Sequence, residues 1–194
     1  MLQRVFVDSN VLYSRTTRDW LFLLRNETRD MFQVHSSIDV VVEVVRAVRR
    51  EKPQLDGAIT RSFHDQLINN LDEIQPDYDA RVEFSGADPD DLHVHAAAIA
   101  AKADLLLTSD GRDFGDPDAL PYELYEPDAF FVLVDDGAAE MVLRVVMKQV
   151  AYWKGKSDAG RQVKGVVQAL EDANCPLFAE RVGAHLELLS GKPA

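Results

Sequence analysis

Val5-Phe6-Val7-Asp8-Ser9-Asn10-Val11-Leu12 is the stretch that decides how the rest of the chain is read. Residues 3–8 are β-branched and aromatic and close on an acid, the pattern of a short buried strand. Ser9 or Asn10 then caps a helix over residues 10–27, with Leu12, Leu21, Leu23 and Leu24 inside it. An apolar strand that stops on a carboxylate and turns at once into a helix leaves that carboxylate at the strand's carboxyl end. In open parallel α/β sheets, that end is where ligands bind.

The same alternation continues outward. Phe32-Gln33-Val34 reads as a second strand, and Ser36 or Ser37 caps a helix that Pro53 stops after about Glu51. On that helix Ile38, Val41, Val42, Val45 and Val48 form one apolar face, and Glu43 falls on a polar arc with Asp39, Arg46 and Arg50. A further helix spans 54–71, and 72–87 reads as loop and strand with Val82 and Phe84 alternating. Asp88-Pro89-Asp90-Asp91 opens an alanine-rich helix running to about Lys102, with proline where its missing N–H does no harm. Leu105–Thr108 is another buried strand, 109–118 a turn-rich loop, and Leu120–Tyr125 and Phe130–Val134 two further short strands. Short apolar strands alternating with helices predict a three-layer α/β fold, a parallel sheet flanked by helices. Residues 136–190 read as all-helical, with breaks near 155–160 and at Asn174-Cys175-Pro176. The division is therefore 1–134 for the α/β domain and 135–194 for a C-terminal helical extension.

Bulk properties narrow the function. The 194 residues suffice for one full core plus a modest extension. The single cysteine, Cys175, excludes an intrachain disulfide and a cysteine zinc site and fits a reducing cytoplasm. No signal-peptide pattern and no apolar run of about 18 residues is present, so no membrane association is expected. The net charge of -12 speaks against a generic nucleic-acid binder, whose phosphate contacts need Lys and Arg. Basic residues are nonetheless clustered, at Arg46, Arg49, Arg50 and Lys52 and again at Lys148, Lys154, Lys156, Arg161 and Lys164. A carboxylate–cation site also concentrates negative charge, and an acidic surface suits a basic partner.

Asp8, Glu43, Asp91 and Asp110 are the candidate site residues. Asp8 and Asp110 follow strands and would point into the same crevice. Carboxylates gathered in one cleft repel each other and need a cation, and oxygen donors suit Mg²⁺ or Mn²⁺. That is the chemistry of phosphodiester hydrolysis. Each acid also has a plainer role open to it: Asp8 as a helix cap, Glu43 as an exposed partner of Arg46, Asp91 as a dipole acid, Asp110 as a turn residue. Asn10 and Thr108 are placed to position a carboxylate or a water, Asp113 rivals Asp110 as the fourth acid, and His95 shares a helical face with Asp91 and ranks above His93.

Taken in order, four segments resemble the PIN domain, in particular the VapC-type ribonucleases of bacterial toxin–antitoxin pairs. Val7-Asp8-Ser9-Asn10-Val11-Leu12 is similar to that family's opening motif, and Val40–Arg46 to the helix bearing its glutamate. Asp88–Ala98 and Leu107–Phe114 resemble its third and closing motifs. The resemblance spans about residues 3–134. It implies an Mg²⁺- or Mn²⁺-dependent endoribonuclease with Asp8, Glu43, Asp91 and Asp110 as metal-binding catalytic acids and Asp113 as a possible fifth. It also implies an RNA substrate, a small antitoxin partner and homodimerisation, for which Trp20 and Phe22 are candidate contacts unless the monomer buries them. Two alternatives stay open: a PIN-like binding module without catalysis, and a phosphatase or phosphotransferase with Asp8 as nucleophile. The second is weakened by Asn10, which stands where such enzymes need a second Asp.

Overall fold

A computed structural model describes residues 2–158 and 165–191. Five parallel strands form one sheet in the order β3-β2-β1-β4-β5: β1 (Gln3–Val7), β2 (Phe32–Ser37), β3 (Glu73–Gln75), β4 (Leu105–Leu107) and β5 (Glu123–Tyr125). Val5, Phe6 and Val7 are wholly buried, as expected of a central strand covered on both faces. Val5 is in register with Val34 on one side and with Leu105 on the other. The order runs outward from β1 through β2 to β3, then jumps back across β1 to β4 and β5. The reversal point lies between β1 and β4, where a crevice opens at the strands' carboxyl ends.

Helices flank this sheet: α1 (Ser9–Tyr13), α2 (Arg15–Glu27), α3 (Ile38–Glu51), α4 (Gly57–Asn70) and α5 (Leu92–Ala100). A single helix over 10–27 does not form. Ser14 sits in extended backbone (φ -64°, ψ 117°), and its side chain caps α2 by accepting from Thr17 N. The third strand is Glu73–Gln75 rather than the Val82–Phe84 stretch. Val40, Val41 and Val44 make the inner face of α3, while Ile38 and Val42 are exposed. The apolar periodicity of a valine-rich helix thus leaves its inward direction ambiguous by one residue.

Phe130–Val134 is helix, not strand. It lies in α6 (Pro127–Asp158), a helical run kinked at Ala138 (φ -151°, ψ 45°). Phe130, Phe131 and Val134 recur at helical spacing, and a short apolar run reads equally as strand when the Pro127-Asp128 start is overlooked. Two more helices follow, α7 (Val166–Glu171) and α8 (Pro176–Ser190). The anticipated break at Asn174-Cys175-Pro176 separates them, with Asn174 in the left-handed region (φ 57°) and Pro176 at the first turn of α8. The break expected near 155–160 falls partly outside the described residues, as do Arg161, Lys164 and the side chain of Lys156.

The C-terminal helices share the core of the sheet domain. Phe178 of α8 meets Trp20 of α2 edge-on at 5.0 Å and Phe131 of α6 at 5.2 Å. Trp20 and Phe22 are 2% and 8% exposed, so neither is available for a dimer contact. Asp128 accepts from the backbone N–H groups of Leu177 and Phe178 at 3.1 and 2.7 Å, satisfying two orphan donors of α8 from another helix. His185 Nε2 bonds Asp135 at 2.7 Å, and Glu27 of α2 pairs with Arg144 and Lys148 of α6. No helix among the described residues is long and apolar enough to cross a membrane.

Candidate active site

Asp8 is the hub. The β1 ladder ends with Asp8 N donating to Leu107 O at 3.0 Å, so the side chain leaves the sheet at the reversal point. The residue is 3% exposed. Its Oδ1 caps α1 by accepting from Ser9 N at 2.5 Å, while Oδ2 accepts from Thr108 Oγ1 at 2.7 Å and from Asn10 Nδ2 at 2.8 Å. Capping and site-building therefore use different oxygens of one carboxylate. Burial raises its pKa, the Thr108 and Ser9 hydrogen bonds pull it back, and the Glu43 charge raises it further.

Asn10 and Thr108 tie the ends of β1 and β4 together. Asn10 Nδ2 also reaches Thr108 Oγ1 and Asp110 Oδ2, each at 3.0 Å, and its Oδ1 accepts from Ser109 N at 3.1 Å. Thr108 Oγ1 in turn accepts from Asp110 N at 3.2 Å. These bonds hold Asp110 beside Asp8 although Asp110 itself is exposed. Asp113 is half-buried in the 3₁₀ turn that follows (Gly111–Phe114), anchored by Phe114 in the core.

Asp91 closes the 3₁₀ turn Pro89–Asp91 ahead of α5. Its pKa is pushed up to about 7, by burial first and then by the charges of Asp8, Asp88 and Asp113. The charge of Asp113 thus acts on Asp91, while Asp110 accepts a hydrogen bond from Asn10. Glu43, on α3, takes His93 rather than Arg46 as its partner, with Nε2 3.5 Å from Oε2. His93 Nδ1 donates to Asp90 O at 2.7 Å. The Glu43 carboxylate is the main cause that lifts the imidazole to a pKa of about 9, so His93 carries a positive charge in this acidic cleft at neutral pH. His93 and then Ser9 hold Glu43 below its ordinary value.

His95 has a different setting. It is 4% exposed, with Nε2 donating to Glu83 O at 3.1 Å and Nδ1 accepting from the Tyr122 hydroxyl at 2.7 Å. Both ring nitrogens are occupied, and burial lowers its pKa. His93 is the histidine that reaches an acid of the cleft. Asp88, which caps the Pro89–Asp91 turn by accepting from Asp90 N at 2.9 Å, also belongs to this charge group through its effect on Asp91. Its place three residues before Asp91 is the signal for this in the sequence.

Among the described residues, no three Asp, Glu, His or Cys side chains stand close enough to enclose an ion. The acids act on one another from Asp8 outward without forming a finished coordination sphere. The donors are carboxylate, hydroxyl and amide oxygens, a hard set suited to Mg²⁺ or Mn²⁺. The repulsion that raises Asp8 and Asp91 is what a divalent cation would relieve.

The family model for the PIN domain matches residues 4–112, which include β1, α3, the Asp91 turn and β4. The chain belongs to the PIN domain family. PIN domains are nuclease-type domains and generally use divalent metals, and the five-stranded parallel sheet flanked by helices is the architecture expected of one. Among curated proteins there is no match to this sequence.

Proposed function

We propose that this PIN protein is an Mg²⁺- or Mn²⁺-dependent endoribonuclease. The observation that carries the reading is the Asp8–Asn10–Thr108–Asp110 network at the sheet's reversal point, facing an Asp91 whose pKa is pushed up to about 7. Asp8, Glu43, Asp91 and Asp110 would hold the cation, with Asp113 as a further donor. When bound, such an ion supplies Lewis acidity toward a phosphodiester and lowers the pKa of water. The chain's own residues supply the preorganisation. Thr108, Ser9 and Asn10 fix both oxygens of Asp8, and Asn10 sets Asp110 against it. His93 keeps Glu43 ionised and gives the cleft a positive group to offset its acids. On this reading residues 1–134 carry the chemistry and residues 135–194 brace it.

The order of the four motifs and the -12 net charge support a finer reading: a cytoplasmic VapC-like toxin neutralised by a small antitoxin with basic side chains. The enzymatic proposal is tested by incubating purified protein with total RNA, with Mg²⁺ or Mn²⁺ and with EDTA. Cleavage should require the metal and vanish in Asp8→Asn and Asp91→Asn while circular dichroism stays native. Normal cleavage by both variants contradicts it. The toxin reading adds that expressing the wild type arrests growth and Asp8→Asn does not; equal growth of the two would remove it.

A further inference from the structure

A cavity of about 420 Å³ opens at the carboxyl end of β5, beside the acidic cleft. Gly111, Arg112, Pro117, Leu124, Tyr125 and Glu126 line it. It shares backbone with the site: Thr108, which holds Asp8, donates its N–H to Tyr125 O at 3.0 Å. Arg112 follows Asp110 by two residues, which places their Cα atoms within about 7.6 Å.

The lining has a distinct chemistry. Tyr125 is half-buried, and its ring is steadied by an edge contact with Phe130 at 6.5 Å. With Pro117 it gives the cavity an apolar wall, whereas Leu124, its neighbour on β5, points to the opposite face of the sheet. At Gly111 nothing lies within 4 Å of where a Cβ would stand, so that side is open. Arg112 and Glu126 are exposed, and among the described residues neither side chain has a hydrogen bond or an ion pair. A cation and an anion share one small cavity without neutralising each other, leaving a fork of N–H donors and a pair of carboxylate acceptors unused.

A phosphate alone would use Arg112 but be repelled by Glu126. A nucleobase uses the wall, the donors and the acceptors together, since every base has a π-face that stacks on an aromatic ring. Guanine matches best. Its O6 and N7 take an arginine fork, and its ring N–H and amino group suit a carboxylate. Adenine offers an amino donor where the guanidinium needs an acceptor.

We propose that this cavity is a guanine subsite, selecting the nucleotide next to the bond cut in the acidic cleft. The clause about cutting rests on the nuclease reading above; the binding does not. The direct test is titration of the full chain in EDTA with 5′-GMP, AMP, CMP and UMP, followed by NMR at the amides of Gly111 and Gly115, which both line the cavity. GMP should bind at least tenfold tighter than the other three, and Arg112→Ala and Glu126→Gln should each weaken it at least tenfold. Equal binding of all four nucleotides, no shift at either glycine, or GMP binding unchanged in both variants would overturn the proposal. Equal binding lost only in Arg112→Ala would make Arg112 a phosphate contact and equally overturn it. Cleavage of oligonucleotides separates the two readings. Cutting without guanine preference ends the subsite and leaves the nuclease; GMP binding without any cutting does the reverse.

Discussion

At the scale of single residues, the cleft keeps like charges together by strong local bonding. Asp8 stays in place because three donors point at it, not because its surroundings favour a charge. Asp91 lacks such support, and its folded pKa of about 7 lies well above the ordinary 3.8. Between those values the folded protein holds more protons than the unfolded chain, so in EDTA stability falls as pH rises from about 4 through about 7. Asp91→Asn removes that penalty. In EDTA at pH 8 it should be more stable than wild type by about 1 kcal/mol, after allowance for solvent screening of a half-exposed group, and the gain should disappear near pH 4. Urea melts at the two pH values check this; a variant less stable at pH 8 would show that Asp91 is stabilised by its neighbours. The acids were legible in the sequence because each follows a buried apolar run or opens a helix. The partner of Glu43 was not. Glu43 on α3 and His93 on α5 are 50 residues apart, and only the packing of the two helices at the sheet's carboxyl end brings them together.

At the scale of elements, short strands place the site and loops complete it. β1 and β4 were readable because buried runs of Val, Phe and Leu end in polar residues that hydrogen-bond each other, Asp8 and Thr108. The loop before α5 was not readable, because its register is set by packing. Gly86 shows why: a Cβ there would stand 2.3 Å from Asp113 O, and the neighbouring Ala87 N donates to that same oxygen at 2.8 Å. Gly86→Ala must push apart the segment leading to Asp91 and the turn carrying Asp113. It should cost about 1–3 kcal/mol in thermal melts and lower RNA cleavage as well. Unchanged stability and activity would mean that the two segments move independently. At the far side, Asp128 caps α8 from α6. Asp128→Ala should cost about 1–2 kcal/mol, with faster amide exchange concentrated in the first turn of α8; protection unchanged there would show that the cap is redundant. The helical stretch 130–134 reads as strand in the sequence for the same reason that it packs well: Phe130 and Phe131 are large, adjacent and apolar in either geometry.

At the scale of the whole molecule, sheet domain and C-terminal helices are one packed body. The buried core runs without interruption from Val5 to Val182. Phe178 covers Trp20 and Phe131, and removing everything after residue 134 would leave those rings in water. A fragment of residues 1–134 should therefore lose its near-UV dichroism and bind a hydrophobic dye, whereas a native near-UV spectrum would show that the extension is dispensable for folding. The sequence showed the extension as helical but not how it docks, since Glu27, Asp128 and Asp135 reveal their partners only once α2, α6 and α8 are assembled. The central claim is that four separated acids serve one cation. Calorimetric titration of the full chain with Mn²⁺ tests it most directly. The account predicts saturable binding that is lost in Asp8→Asn and weakened at least tenfold in Asp91→Asn; binding equal in all three proteins, or absent from the wild type, would contradict it.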